Sequence, residues 1–386
     1  MSLETILYKF NPWWEVEYRS LRIPRERYNQ ELNESLDTDD IVIITGLRRV
    51  GKTSIIKFFI EDLLKRVPGD RIFYISLDAY GLEKYSIHDI VEAFRKIHHI
   101  NLSEKIYIFL DEVTAKHDFQ RELKDFYDNE NIKIYAAGSS ASVLREKKAY
   151  LTGRTRVVEV LPLDFQEFLI FRDIKIKKSE QYLVDVYFEQ YMDMGGIPEY
   201  VLRQDPVYLE GLIDDIIYKD IIGYHGIREK ESVRDMFLLL MERSGKQVTL
   251  NKMTKILGVS FDTVKRYMAY FLDTFILYSI PRCGKVNERI KSPKKLYVGD
   301  TGIRNIVTGF RDKGALFENL FFLKIKHLQP CYVFENGIEL DFMVKNETLI
   351  EVKYNRELNP KQKEMFDRHK AKKKLIISTV SQFLDY

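Results

Sequence analysis

Ile41-Val42-Ile43-Ile44-Thr45 runs without a break into Gly46-Leu47-Arg48-Arg49-Val50-Gly51-Lys52-Thr53-Ser54, and the reading of this stretch settles what kind of fold the chain adopts. All of its first five residues are β-branched, the pattern of a short strand covered on both faces in a parallel sheet. The next nine satisfy G-x-x-x-x-G-K-[ST] in full, and the helix-like Ile55-Ile56-Lys57-Phe58-Phe59 follows. Gly46 and Gly51 let the backbone curl so that successive N–H groups face phosphate oxygens, and the helix start adds the positive end of its dipole. Lys52 places a cation beside the β- and γ-phosphates of ATP, and the Thr53 hydroxyl suits Mg²⁺. Gly46, Leu47, Arg48, Arg49, Val50, Gly51, Lys52, Thr53 and Ser54 are therefore the expected nucleotide contacts.

Further along, Ile106-Tyr107-Ile108-Phe109-Leu110 is a second buried strand, and it ends in Asp111-Glu112. Asp111 is placed to hold Mg²⁺ directly or through water. Glu112 is placed to polarise the water that attacks a γ-phosphate, which points to hydrolysis as well as binding. Strand-like Arg71–Leu77 falls between the two motifs, an order that fits the P-loop branch containing AAA+ proteins. Ile132–Ala137 leads into Gly138-Ser139-Ser140, where Ser139 or Ser140 either hydrogen-bonds the attacking water or caps a helix. Arg154, before the strand Val157–Leu161, either reaches a neighbouring subunit's nucleotide as a charge-stabilising finger or makes a surface salt bridge.

The whole chain, 386 residues with 45% hydrophobic and 31% charged content, is too long for one core and too apolar for disorder, so two or three domains are expected. No run of eighteen apolar residues occurs, and Met1-Ser2-Leu3-Glu4 does not start a basic-then-apolar leader, so no membrane association is expected. Cys283 and Cys331 are too few for a disulfide framework or a cysteine metal site, which makes a reducing cytoplasm the expected location. The formal charge of +3 conceals a basic block: Arg243 to Lys295 holds twelve lysines and arginines against Asp262, Asp273 and Glu288. Such a block is either a nucleic-acid footprint or a solvated surface.

Within that block, Leu250–Met268 reads as a helix-turn-helix. Met253, Ile256 and Leu257 are expected to form one apolar face, Gly258 the turn, and Val264, Tyr267 and Met268 the second face. Thr263, Lys265 and Arg266 then project from the second helix as candidate DNA contacts, and strand-like Leu272–Ile280 suggests a wing. Beyond Pro293, Gly337–Val344 and Leu349–Tyr354 are alternating strands around Lys345-Asn346-Glu347. A three-residue turn centred on Asn346 pairs Val344 with Thr348, hence Asp341 with Glu351 and Glu339 with Lys353. These four side chains should share one face while Leu340, Phe342, Ile350 and Val352 turn to the core. Two carboxylates at one point suit a second divalent metal, with Lys353 beside them. A basic helix is expected near Pro360–Lys374.

Taken together, Asn11-Pro12-Trp13-Trp14, the glycine-rich loop, Leu110-Asp111-Glu112, Ala137-Gly138-Ser139-Ser140, Leu151-Thr152-Gly153-Arg154, Leu161-Pro162-Leu163 and Gly195-Gly196-Ile197-Pro198 resemble the archaeal and bacterial AAA+-like, STAND-related P-loop ATPases. Those proteins often carry a winged helix and a restriction-nuclease-like C-terminal domain. Asp341 followed after nine residues by Glu351-Val352-Lys353 resembles the PD-(D/E)XK nuclease core, without a proline before Asp341, and Glu318 resembles that family's helical acid. The resemblance departs at the sensor asparagine, where Ser139 or Ser140 stands. It implies an α/β chain made of an AAA+-like parallel-sheet ATPase domain (1–172), a helical lid opened by the Gly-Gly turn near the nucleotide (173–236), a winged helix (237–292) and an α/β restriction-endonuclease-like domain (293–386). The implied function is Mg²⁺-dependent ATP hydrolysis to ADP coupled to DNA binding or processing, in a chain that self-associates into a homo-oligomer. The alternative is a slow ATP-dependent switch or assembly scaffold whose nuclease-like domain is inactive.

Overall fold

The structure, a computed structural model, describes residues 2–138, 151 and 153–386. Its chain forms two compact units, Met1–Val160 and Leu161–Tyr386.

In the first unit, helices α1 (Leu3–Phe10) and α2 (Glu26–Glu34) precede strand β1 (Ile41–Thr45), which leads to α3 (Lys52–Leu63), β2 (Ile72–Ser76), α4 (Ile87–His98), β3 (Ile106–Asp111), α5 (Phe119–Asn129), β4 (Ile132–Ala137) and β5 (Thr155–Glu159). The five strands form one sheet in the order β2-β3-β4-β1-β5. Every neighbouring pair is parallel. All five residues of β1 are buried, as a strand between two helix layers must be. The register pairs Ile44 with Ala137 and Leu110 with Ala136, so the carboxyl ends of β1, β3 and β4 lie at one rim. The free edge of β2 is covered by the Asn-Pro-Trp-Trp segment. Asn11 exchanges hydrogen bonds with the backbone of Tyr74 at 2.7 and 2.9 Å, and the indole N–H groups of Trp13 and Trp14 both donate to the Ile72 carbonyl. An otherwise open strand edge is thereby closed.

The second unit opens with helices. Helix α6 (Phe165–Phe171) packs within this unit: Phe165 lies on Phe188 and Phe168 on Tyr191, both in α7 (Leu183–Met194), within one core with Phe317, Phe321 and Phe342. Aromatic burial, invisible in a local pattern, ties the helix to this core. The helical stretch continues through α8 (Pro198–Arg203), α9 (Pro206–Asp214), a π-helical turn (Asp215–Gly223) and α10 (Lys230–Glu242). The Gly195-Gly196 turn is clamped from within this unit: Gly196 N–H donates to Asp300 Oδ2 at 2.6 Å.

A three-stranded antiparallel sheet follows, β6 (Gln247–Val248), β7 (Leu277–Ile280) and β8 (Lys294–Val298) in the order β6-β8-β7. Between β6 and β7 lie α11 (Leu250–Leu257) and α12 (Phe261–Asp273), joined through Gly258, with the Ser260 hydroxyl capping α12. Met253, Val264, Tyr267 and Met268 are buried as expected, but Ile256 is half exposed, so the first apolar face is narrower than its spacing implies. Short helix α13 (Val286–Lys291) bridges β7 and β8.

After α14 (Thr301–Thr308), the order is α15 (Lys313–Ile325), β9 (Cys331–Glu335), β10 (Ile338–Val344), β11 (Thr348–Val352), α16 (Pro360–Arg368), β12 (Lys373–Ile377) and α17 (Val380–Asp385). The sheet order is β12-β11-β10-β9, parallel only between β11 and β12, where α16 makes the crossover. Val344 pairs with Thr348 and Phe342 with Ile350, the register expected from the turn. A β-bulge between Leu340 and Met343 changes one expectation. Leu340 joins Val333, Met343 and Leu349 on one side of the sheet, while Phe342, Ile350 and Val352 line the other.

Cys283 and Cys331 form a disulfide across 48 residues. Two cysteines are too few for a disulfide framework, but the bridge between Arg282 and Tyr332 brings these two to a Cα separation of 5.1 Å, close enough for a single bond. Among the described residues no helix is long and apolar enough to cross a membrane.

Candidate functional site: a phosphate-binding loop and a buried charged cluster

The loop between β1 and α3 is held from both sides. Gly46 has φ 140° and a side chain there would collide with the Val160 carbonyl, while Gly51 at φ 98° turns the chain into α3. Leu47 and Val50 are buried, which anchors the loop. The Arg25 guanidinium donates to the Val50 carbonyl at 3.1 Å and braces the loop from below. Lys52 is buried, and its ammonium reaches the carbonyls of Gly46 and Leu47 at 3.1 Å.

At the rim, Thr53 Oγ1 donates to Asp111 Oδ2 at 2.6 Å, joining the loop hydroxyl to the strand acid. Both are hard oxygen donors, the chemistry Mg²⁺ prefers, so the pair fits that ion. Tyr74 adds its hydroxyl to the same Oδ2 at 3.1 Å, and the Lys57 ammonium lies 3.3 Å from the Tyr74 ring centre. Burial pushes Lys57 down to about 7, with the Asp111 charge pulling the other way. Glu112 stands in the left-handed region at φ 48°, with its N–H on Asp111 Oδ1 at 3.1 Å. Burial, partly offset by Lys52, pushes its carboxyl up. Ser139 and Ser140 lie outside the described residues.

Arg154 does not join this group. Its carbonyl accepts from Ile41 N–H at the amino end of β1, about five residues of strand or roughly 16 Å from the loop. Its guanidinium pairs with Asp128 at 3.1 Å. That pair is the salt bridge expected as one of its two alternatives.

On α12, Lys265 and Arg266 are exposed, as are Lys252 and Lys255 on α11. Thr263 is not a free contact: its hydroxyl and N–H engage Ser260 in the helix cap. Lys295 leaves the basic block altogether, because its side chain is 1% exposed.

That burial defines the second cluster. Lys295 Nζ lies 2.7 Å from Glu318, 2.6 Å from Glu339 and 2.9 Å from Asp341. Lys353 lies 2.7 Å from Glu351 and 3.4 Å from Asp341. Glu318, Asp341, Glu351 and Lys353 therefore converge as expected. Burial and the Asp341 charge push Glu318 and Glu351 up; against burial, Lys295 and Lys353 hold Asp341 down. The expected second metal is not supported: among the described residues no group of three or more His, Cys, Asp or Glu side chains is arranged for an ion. An ammonium stands where their oxygens meet. Sequence reasoning missed Lys295, Tyr74 and Arg25. Only Tyr74 left a local signal, as a hydroxyl in an otherwise apolar strand.

Comparisons with known proteins point to the same kind of domain. Residues 38–169 match the model of an AAA domain, and residues 186–314 match a domain of unknown function, DUF8612. An uncharacterized protein of Methanocaldococcus jannaschii is 26% identical over 376 residues, covering 92% of this chain and 83% of its own length. An uncharacterized protein of Haemophilus influenzae is 26% identical over 345 residues, covering 84% of each. Among solved structures, the Walker-type ATPase PABY2304 of Pyrococcus abyssi is similar at TM-score 0.50 and 15% identity, covering 76% of this chain and 97% of that one. The loop, the acid strand and the parallel sheet are those of an AAA-like P-loop fold, in keeping with the match of residues 38–169 to an AAA domain.

Proposed function

We propose that this chain binds ATP with Mg²⁺ and hydrolyses it, and that the cycle governs a DNA-bound state. The observation that carries the reading is the 2.6 Å contact between Thr53 and Asp111, with Glu112 next in the chain. Lys52 and the loop N–H groups bind and orient the phosphates. Thr53 and Asp111 would hold Mg²⁺, which would neutralise phosphate charge. Glu112 accepts the proton of the attacking water, a role for which a carboxyl raised by burial is better matched than an ordinary one.

DNA enters through the exposed lysines and arginine of α11 and α12, read as a helix-turn-helix with the β7–β8 connection as a wing. The C-terminal order α15-β9-β10-β11-α16-β12 supports the nuclease-like reading of the last domain. A specific observation favours the switch alternative for that domain: Lys295 sits among its carboxylates. Turnover of ATP, measured with and without duplex DNA, tests the proposal. Mg²⁺-dependent turnover that DNA alters is expected, and a folded wild-type chain with no turnover sinks it. With Mg²⁺ or Mn²⁺ present, DNA should remain uncut.

A further inference from the structure

Lys295 alone of the basic central block is fully buried, and its surroundings are saturated. An ammonium has three protons. Three carboxylates, from Glu318 on α15 and from Glu339 and Asp341 on β10, meet it at 2.7, 2.6 and 2.9 Å. Further oxygens of the cluster are also engaged. Asp341 Oδ2 accepts from Val352 N–H at 3.0 Å, and Glu351 Oε2 accepts from Asp341 N–H at 3.0 Å. Lys353 and Gln362 reach Glu351 Oε1 at 2.7 and 3.4 Å. Tyr297 donates to Glu318 at 2.7 Å.

Mg²⁺ and Mn²⁺ need about six oxygen ligands at roughly 2.1 Å, which this arrangement cannot supply while Nζ stands at the shared point. Two cations there would repel each other in a largely buried site. We infer that Lys295 is a tethered cation that fills the cation position of this cluster and shuts it to divalent metal. The C-terminal domain thus keeps the charge layout of a metal site without taking a metal. The tether matters because an intramolecular ammonium competes at a high effective concentration whatever the metal supply. Without Lys295, the oxygens of Glu318, Glu339 and Asp341 still converge, and they form a hard donor set that a divalent ion can use.

The test uses the full chain carrying Asp111→Asn, which removes the metal-holding acid of the nucleotide site, so its outcome is independent of ATP turnover. Mn²⁺ uptake is followed by loss of the free-ion EPR signal. The Asp111→Asn chain should take up no Mn²⁺ at millimolar concentration. Adding Lys295→Met should create one site, with affinity raised by at least about tenfold and lost again on Asp341→Asn. A Lys295→Met chain that folds by circular dichroism yet binds no Mn²⁺ overturns the inference. So does uptake by the chain with Lys295 intact that Asp341→Asn abolishes. Should Lys295→Met fail to fold, the titrations with Lys295 intact, with and without Asp341→Asn, decide the matter alone.

Discussion

Glu112 and Tyr74 each bond one oxygen of Asp111, and their substitutions should separate chemistry from metal positioning. Glu112→Gln keeps the shape of the side chain and its N–H contact with Asp111 while removing the proton acceptor. Steady-state turnover should fall on the order of 10²–10⁴-fold, with binding of a fluorescent ATP analogue retained. Tyr74→Phe removes one hydrogen bond to the carboxylate oxygen that Thr53 also uses. Such a bond is worth about 1 kcal/mol, so the Mg²⁺ concentration for half-maximal turnover should rise roughly fivefold while saturated turnover changes little. Equal loss at saturating Mg²⁺ would place Tyr74 in the chemistry.

Helix α12 presents Lys265 and Arg266 to solvent, and its cap consumes Thr263. Reversing both charges, Lys265→Glu with Arg266→Glu, should weaken duplex binding and make the dependence of log affinity on log salt shallower by about two units. Thr263→Ala should leave that slope unchanged. Where α7 gives way to α8, Asp300 carries the turn by accepting from Gly196 and Ile303 N–H groups. A methyl at Gly302 would meet the Met194 carbonyl, so Gly302→Ala should cost roughly 1–3 kcal/mol in urea unfolding. Burial raises the Asp300 carboxyl to about 6. An unfolded chain binds that proton with a pKa near 3.9. The folded state therefore holds the proton more tightly. This contribution to stability is complete below about pH 4, declines as pH rises towards 6 and is flat above. Between those limits the stability difference should shift by roughly 3 kcal/mol in favour of Asp300→Asn.

Each of the two units carries an apolar core of its own, one around Ile43, Phe73, Phe94 and Ile108, the other around Phe188, Phe317 and Phe342. Calorimetry should resolve two unfolding transitions. A non-hydrolysable ATP analogue with Mg²⁺, at about a hundred times its dissociation constant, should stabilise one of them by roughly 2.7 kcal/mol and leave the other in place. A single transition, shifted as a whole, would show that the units unfold together.

Local chemistry made the nucleotide half of this protein readable from the order of residues. A phosphate loop needs its glycines, lysine and hydroxyl within nine positions, and a parallel strand needs an unbroken apolar run, so Gly46–Ser54, Asp111 and Glu112 carried their meaning in place. Hairpin arithmetic likewise brought Asp341 and Glu351 together, because a turn of known length fixes register. Contacts across long separations were not readable. Lys295 looked like one more surface charge until β8 buried it among acids from α15 and β10. Leu340 changed sides because of a bulge that no alternation pattern announces, and α6 joined the second core through aromatic contacts with α7. Whether three carboxylates bind a metal or a lysine depends on which cation the fold carries to them, and that cation stands 46 residues before Asp341.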